Sequence, residues 1–385
     1  MKDLKSVPLM DICRPKQWKT ISTPDLTETG FPVYGANGKI GFYSEYTHEY
    51  STLMITCRGA TCGTVNISEP KSYINGNAMA FDELRTDLVD LKYLFYFLKK
   101  RGFDDVISGS AQPQITRQGL ASVLVDLPPL ETQKHIARVL EQADQLRKQA
   151  QQMESELNQL AQSLFLEMFG DPVRNPKRWP VEIFEKHLQT IDSGWSPRCE
   201  ERQAAEGEWG VLKLGAVTTC TYRESENKKL PPELPPRPRV EVKEGDLLFS
   251  RKNTYELVAA TAYVRRTQGR IMLSDLIFRL VPRDTVDPIY LWGLLTNPAF
   301  RSEVQNLAGG AAGSMPNISK TKLAGKGFPL PGIEIQRKYS KMIRAIWAQL
   351  ALMKLKAEQL ENVFNSLMQR AFKGELTPKA NSRAA

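Results

Sequence analysis

No run of 18 or more apolar residues occurs in the 385-residue sequence, so it contains no candidate membrane-spanning helix. Histidine is scarce. His48, His135 and His187 are the only three, which gives little to nucleophilic or zinc chemistry. The five cysteines (Cys13, Cys57, Cys62, Cys199, Cys220) make an odd count. Cys57 and Cys62 are five apart, without the second pair that a zinc site needs. They read as free thiols of a cytoplasmic protein. The start, MKDLKSVPLMDICRPK, lacks the apolar core of a signal peptide. No Gly-rich phosphate loop is present, since Gly207–Gly210 and Gly309-Gly310 have the wrong spacing. The Pro-Pro pairs after Leu127 and Leu230 lack the flanking amide or acid and the aromatic residue that an amino-methyltransferase signature carries. Glu241-Val242-Lys243 supplies half of a nuclease pattern, with no first acid before it. Without a visible catalytic set, a recognition or scaffold role is favoured.

What is present is a long apolar ladder. From Leu127 to Phe169, Ile136, Val139, Ala143, Leu146, Ala150, Met153, Leu157, Leu160 and Leu164 alternate steps of three and four. This predicts one long helix with a coiled-coil seam. Leu330–Phe372 repeats it through Tyr339, Ile343, Ile346, Leu350, Met353, Ala357, Leu360, Phe364, Leu367 and Ala371. The two stretches align without a gap at an offset of 203 residues. Leu127-Pro128 falls on Leu330-Pro331, Gln133 on Gln336, and Gln112-Pro113-Gln114-Ile115 on Met315-Pro316-Asn317-Ile318. The chain is therefore a tandem duplication, with a period far too long for a solenoid. Each half is a globular segment followed by a long helix, and each helix has its partner in the same chain.

The globular segments read as β-rich. FPVYGANGKIGFYSEY signals a hairpin about Ala36-Asn37-Gly38, and TLMITCRGATCGTVNI a strand pair about Arg58-Gly59-Ala60. Residues 1–30 look like a lead-in around one short helix. LKYLFYFLKKRGFDDVI is a helix ended by Gly102, matched in the second half by IYLWGLLTNPAFRSEVQNL. LPPELPPRPRV is an extended proline-rich loop. The net charge of +9 lies in the second half, +5 over residues 171–330 and +6 over 331–385. That balance is compatible with a polyanionic partner.

Candidate DNA contacts lie at loop tips: Asn37, Lys39 and Arg58 in the first half, and Lys213, Arg251, Lys252 and Asn253 in the second. Arg and Asn have the geometry to read guanine and adenine edges, while Lys holds phosphates. A plain solvated turn is the alternative at each. Gln112–Ile115 and Met315–Ile318 read as hinges between head and helix. Arg138, Arg147, Lys148, Arg344 and Lys356 read as outer-face cations of the helix pair, available for docking or merely solvated.

The tandem arrangement, the phrase FPVYGANGKIGFYSEY…CRGATCGTV and the closing phrase QPQITRQGL…LPPLETQKHIARVLEQAD resemble the specificity subunit of Type I restriction-modification systems, over nearly the whole chain. MPNISKTKL…LPGIEIQRKYSKMI resembles the second copy, departing at Gly332 and Met315. The resemblance implies an α+β fold of two β-rich target-recognition domains joined by two long antiparallel coiled-coil helices, an internal pseudo-two-fold repeat. The domains would be 1–126, spacer helix 127–170, 171–329, spacer helix 330–374 and a tail 375–385. It implies a non-catalytic subunit that binds double-stranded DNA, one half of a bipartite site per head. Two modification subunits would supply S-adenosylmethionine and the methyl transfer. Restriction subunits would bring ATP and Mg, and there would be no metal or cofactor in this chain. A helix of this length, roughly 58 Å, would cap the head separation at roughly 17 base pairs at 3.4 Å each. A stand-alone or orphan DNA-binding coiled-coil protein and a scaffold without nucleic acid are the competing readings.

Overall fold

The structure is a computed structural model that describes residues 5–36, 38–109, 112–309 and 315–376. The first half runs β1 (Lys5–Pro8), α1 (Leu9–Ile12), β2 (Arg14–Gln17), β3 (Phe31–Gly35), β4 (Gly38–Tyr43), β5 (Leu53–Thr56), β6 (Val65–Ile67), β7 (Tyr73–Ile74), β8 (Ala78–Asp82), α2 (Leu91–Arg101), α3 (Arg117–Leu120), β9 (Leu124–Leu127) and α4 (Leu130–Phe169). The second runs β10 (Val181–Ile183), α5 (Phe184–His187), β11 (Leu188–Ser193), β12 (Gly210–Leu212), β13 (Asn227–Lys229), β14 (Leu247–Ser250), β15 (Thr261–Tyr263), β16 (Ile271–Met272), β17 (Ile277–Pro282), α6 (Pro288–Thr296), α7 (Pro298–Gln305), α8 (Lys320–Ala324), β18 (Gly327–Pro329) and α9 (Ile333–Phe372). Both long helices have 40 residues.

Two compact units result, Met1–Gln152 with Leu355–Ala385, and Met153–Lys354. Their sheets correspond strand for strand. Unit 1 has β2-β8-β5-β6, β4-β3-β7 and β1-β9. Unit 2 has β11-β17-β14-β15, β13-β12-β16 and β10-β18. Even the one parallel pairing recurs, β3 with β7 and β12 with β16. The lead-in read as loop and short helix in fact supplies β1 and β2, and β10 and β11 do the same after the first long helix. β1 and β2 are short and carry Pro8 and Pro15, so they lack the alternation that marks a strand in sequence. The helix read from IYLWGLLTNPAFRSEVQNL is two. Pro298 has no N–H to donate, and the Asn297 side chain accepts from the Ala299 and Phe300 amides to start α7 afresh.

Each unit closes its core on one piece of each long helix. In unit 1, Ile136, Ala137, Leu140 and Ala143 of α4 meet Phe364, Met368 and Ala371 of α9 in one apolar cluster with α2 and the sheet. In unit 2, Phe165 and Phe169 of α4 pack on Tyr339 of α9, with ring centroids 5.8 and 5.2 Å apart. The start of α4 thus meets the end of α9, and the end of α4 meets the start of α9, so the helices are antiparallel. The Gln133/Gln336 echo marks a buried clamp. Gln133 Oε1 accepts from Asp90 N (2.9 Å), and Nε2 donates to Leu88 O and Pro128 O. Gln336 Oε1 accepts from Asp287 N (2.8 Å), and Nε2 donates to Pro331 O. Asp90 and Asp287 in turn cap α2 and α6.

On α4 the seam is narrower than its ladder implies, since Leu146, Met153 and Leu160 are 51, 46 and 49% exposed. On α9 every ladder residue is buried or half-buried, and the exposed Leu352, Leu355 and Val363 (57, 54 and 50%) lie off the ladder. No residue is buried between 151 and 163 of α4 or between 347 and 363 of α9. A two-stranded coil covers only one thin stripe of each helix, and burial is completed only where a head packs alongside. No helix among the described residues is long and apolar enough to cross a membrane.

Candidate nucleic-acid interface

In unit 1 the β5–β6 connection carries Arg58. Its backbone is tied down on one side: Ile115 N donates to Cys57 O (3.0 Å) and Gly59 N to Pro113 O (3.2 Å). Arg58 forms an antiparallel bridge with Gln114, and Gln114 forms a second bridge with Ser108. In unit 2 the turn after β14 carries Arg251, Lys252 and Asn253. There Ile318 N donates to Arg251 O (2.8 Å) and Asn253 N to Pro316 O (3.3 Å). Lys252 bridges Asn317, which bridges Gly309. The two heads therefore build the same small three-layered edge from residues that differ.

The segments read as hinges, Gln112–Ile115 and Met315–Ile318, are the middle layer of this edge. A hinge needs free backbone, whereas these have hydrogen-bonded neighbours on both sides and bury Ile115 and Ile318 in the cores of their heads. The sequence signal was present in the Pro-x-Ile match at offset 203, but its partner loops were not legible.

The other candidates separate clearly. Lys39 lies near the hairpin tip but pairs with Glu69 (3.5 Å) and lies over the Phe42 ring (4.6 Å). Lys213 pairs with Glu226 (3.0 Å). Asn37 lies outside the described residues. Arg251 lies over the Phe278 ring (4.8 Å), and its Nε donates to Asn317 Oδ1 (3.1 Å). Asn253 is buried. Its Oδ1 accepts from Thr254 N, and its Nδ2 has no partner.

Of the helix cations, Arg138 and Lys356 are exposed. Arg147, expected on an outer face, is instead turned into the seam. It donates to Asp144 (2.7 Å) and to Glu361 of α9 (3.0 Å), and its guanidinium covers the Phe364 ring. Lys148 also pairs with Asp144 (2.8 Å). Burial works to raise the Asp144 carboxyl, but hydrogen bonds from Lys148 and Arg147 outweigh it and hold Asp144 below its ordinary value. Arg344 borders a cleft of about 1340 Å³ in unit 2, together with Tyr263, Arg265, Trp347 and Lys354. Arg344 donates to Tyr263 Oη (3.3 Å). Arg265 lies over Trp347 (5.3 Å), and burial lowers its affinity for the proton.

Two heads of one topology, each with a cation-bearing loop locked to a Pro-x-Ile segment that leads into a long helix, make up a duplicated two-headed fold. Residues 1–159 match the Type I restriction modification DNA specificity domain. Over these residues the chain is similar to that domain family. It is 34% identical over 169 residues to the Type I restriction enzyme EcoEI specificity subunit of Escherichia coli, covering 43% of this chain and 28% of that protein. It is 23% identical over 358 residues to the MjaVIII specificity subunit of Methanocaldococcus jannaschii, covering 85% of this chain and 79% of that one. The chain thus spans little more than a quarter of the length of the first relative and about four-fifths of the second. In fold it is similar to the S subunit of a Type I restriction-modification system from M. genitalium, with TM-score 0.67 and 13% identity over 98% of this chain and 97% of that one.

Proposed function

We propose that the chain is the non-catalytic DNA-reading subunit of a cytoplasmic Type I restriction-modification complex. Each head reads one half of a bipartite double-stranded target. The helix pair fixes the unread gap and carries two modification subunits, which hold S-adenosylmethionine. Restriction subunits, with ATP and Mg, join for cleavage. The observation that carries this reading is the duplication itself: identical strand order in the two heads, joined to helices of equal length, with different residues on corresponding loops. That is what two different half-sites on one frame require. The half-exposed Leu146, Met153, Leu160, Leu352, Leu355 and Val363 are apolar surface that partner helices would cover.

Single-molecule sequencing of host DNA for methyladenine, with and without this chain, tests the proposal. The expected result is a bipartite motif that disappears when the chain is deleted. An unchanged methylome would rule the reading out.

A further inference from the structure

The edge that each head builds from two loops and a Pro-x-Ile segment has more to say. In unit 1, Cys57 and Ile115 are buried (0% and 3% exposed), and the residues beside them, Arg58 and Gln114, are exposed. Successive side chains of extended backbone point to opposite sides. Burial of Cys57 and Ile115 therefore turns Arg58 and Gln114 outward. Because Arg58 and Gln114 are also bridge partners, their side chains stand next to each other on one face. Unit 2 has the same bridge in a less open form. Asn253 and Ile318 are buried, at 5% and 0% exposed. Their neighbours Lys252 and Asn317 are bridge partners, stand on the side away from them and are half-buried.

We propose that Gln114 and Asn317 read base edges, each as the amide of a cation–amide pair with Arg58 and Lys252. This rests on the reading of the chain as a DNA-binding subunit and goes beyond it by naming the specificity-determining residues. The chemistry fits. A carboxamide offers one donor and one acceptor side by side, the pattern complementary to adenine N7 and N6 in the major groove, while the adjacent cation suits guanine or a phosphate. Neither Arg58 nor Lys252 has an ion-pair partner among the described residues, whereas Lys39 and Lys213 are already held by carboxylates. The Pro-x-Ile backbone supplies the stiffness a reader needs. Its N–H and C=O groups are tied on both flanks, so the amide is presented at a fixed position.

Arg251 is the positioning residue of the second pair. Held on the Phe278 face, it donates to Asn317 Oδ1, which fixes which way the amide points. Unit 1 has Cys57 in the corresponding place, so Gln114 is not tethered in this way.

The test uses the full chain in cells with its modification partners, reading the methyladenine motif by single-molecule sequencing. Gln114→Ala is expected to relax one position of one half-site, with discrimination falling roughly tenfold to a hundredfold, and to leave the other half-site intact. Asn317→Ala does the same to the opposite half-site. Gln114→Glu keeps the size and the backbone bridge while removing the donor, so it covers the case in which the alanine variant fails to accumulate. It is expected to change the base preferred at that position. Variants that accumulate and yield the wild-type motif at every position overturn the proposal, as does methylation that declines equally for all sequences. If the wild-type chain yields no bipartite motif, the underlying DNA-reading assignment fails instead, and the two failures are thereby told apart.

Discussion

Unit 1 and unit 2 have the same strand order and the same glutamine clamp, and both bury apolar side chains between their helices, yet only unit 1 adds a charge network to that contact. In unit 1 the seam carries Asp144, Arg147, Lys148 and Glu361, joined by three ion pairs. The residues 203 positions away in unit 2 are Trp347, Leu350, Ala351 and Asn158. There the seal is aromatic, with Trp347 stacked on Tyr263 and edge-on to Trp292, and Phe165, Phe169, Tyr290 and Tyr339 in mutual contact. A shared backbone therefore fixes where burial occurs and leaves open which side chains fill it. Apolar burial does so alone in one unit, and together with a half-buried charge network in the other.

Phe169 and Phe372 offer the sharpest way to test that comparison, because they are 203 residues apart and end their respective helices. Phe169 is buried at 3% exposure and touches three rings, whereas Phe372 is only partly buried. Phe169→Ala is expected to cost about 3–5 kcal/mol. Phe372→Ala should cost roughly half that, since less area leaves water when Phe372 packs. Chemical denaturation of the full chain checks this, and equal losses would mean that the aromatic seal is no stronger than its counterpart.

The next contrast is one of volume. Six residues after its cap, α6 has Gly293 where α2 has Tyr96. A Cβ at Gly293 would lie 2.5 Å from Tyr339 Oη and 2.9 Å from the Phe165 ring, so unit 2 places its bulk on the long helices and unit 1 on the short one. Gly293→Ala is expected to destabilise by about 1–3 kcal/mol through overpacking, despite the better helix propensity of alanine. A thermal melt showing stabilisation would mean that the Tyr339 ring has room to move.

Periodicity made the helices legible. A three–four ladder over 40 residues has few competing explanations, and the offset of 203 located both Gln133 and Gln336 before any contact was known. The α4 ladder overstated the seam at Leu146, Met153 and Leu160, because periodicity reports which residues are apolar and not whether a partner covers them. The lead-in strands were missed because proline and short length hide a strand whose stability comes from distant pairing, as for β1 with β9, 120 residues on. In the candidate interface, loop-tip reasoning singled out Arg58 and Lys252, which the structure places beside Gln114 and Asn317. It read Gln112–Ile115 and Met315–Ile318 as hinges, whereas their backbones are bridged on both sides, since nothing local announces that a loop will be zipped between two others. It also counted Lys39, Lys213 and Arg147 as free cations, although each has a carboxylate partner that only tertiary structure brings near.

The smallest effect belongs to the charge network and has a pH signature that unit 2 lacks. Arg147→Met leaves Asp144 with Lys148 alone and removes the bond to Glu361, while the methionine still covers Phe364. The expected loss is about 1–2 kcal/mol at neutral pH, less than for a fully buried pair because Arg147 keeps 19% of its side chain in water. Asp144 sits below its ordinary value in the folded chain, so its contribution is complete above an unfolded-state value of about 3.9. That contribution is lost as pH falls through the lower folded value. Denaturation at pH 7 and at successively lower pH should therefore show the wild type losing its advantage over Arg147→Met as Asp144 takes up its proton. Hydrogen exchange should place that loss in α2 and the start of α4, with Trp347 and its neighbours unaffected. A gap between wild type and variant that stays constant down to pH 2 would show that Arg147 acts through its packing on Phe364 and not through Asp144.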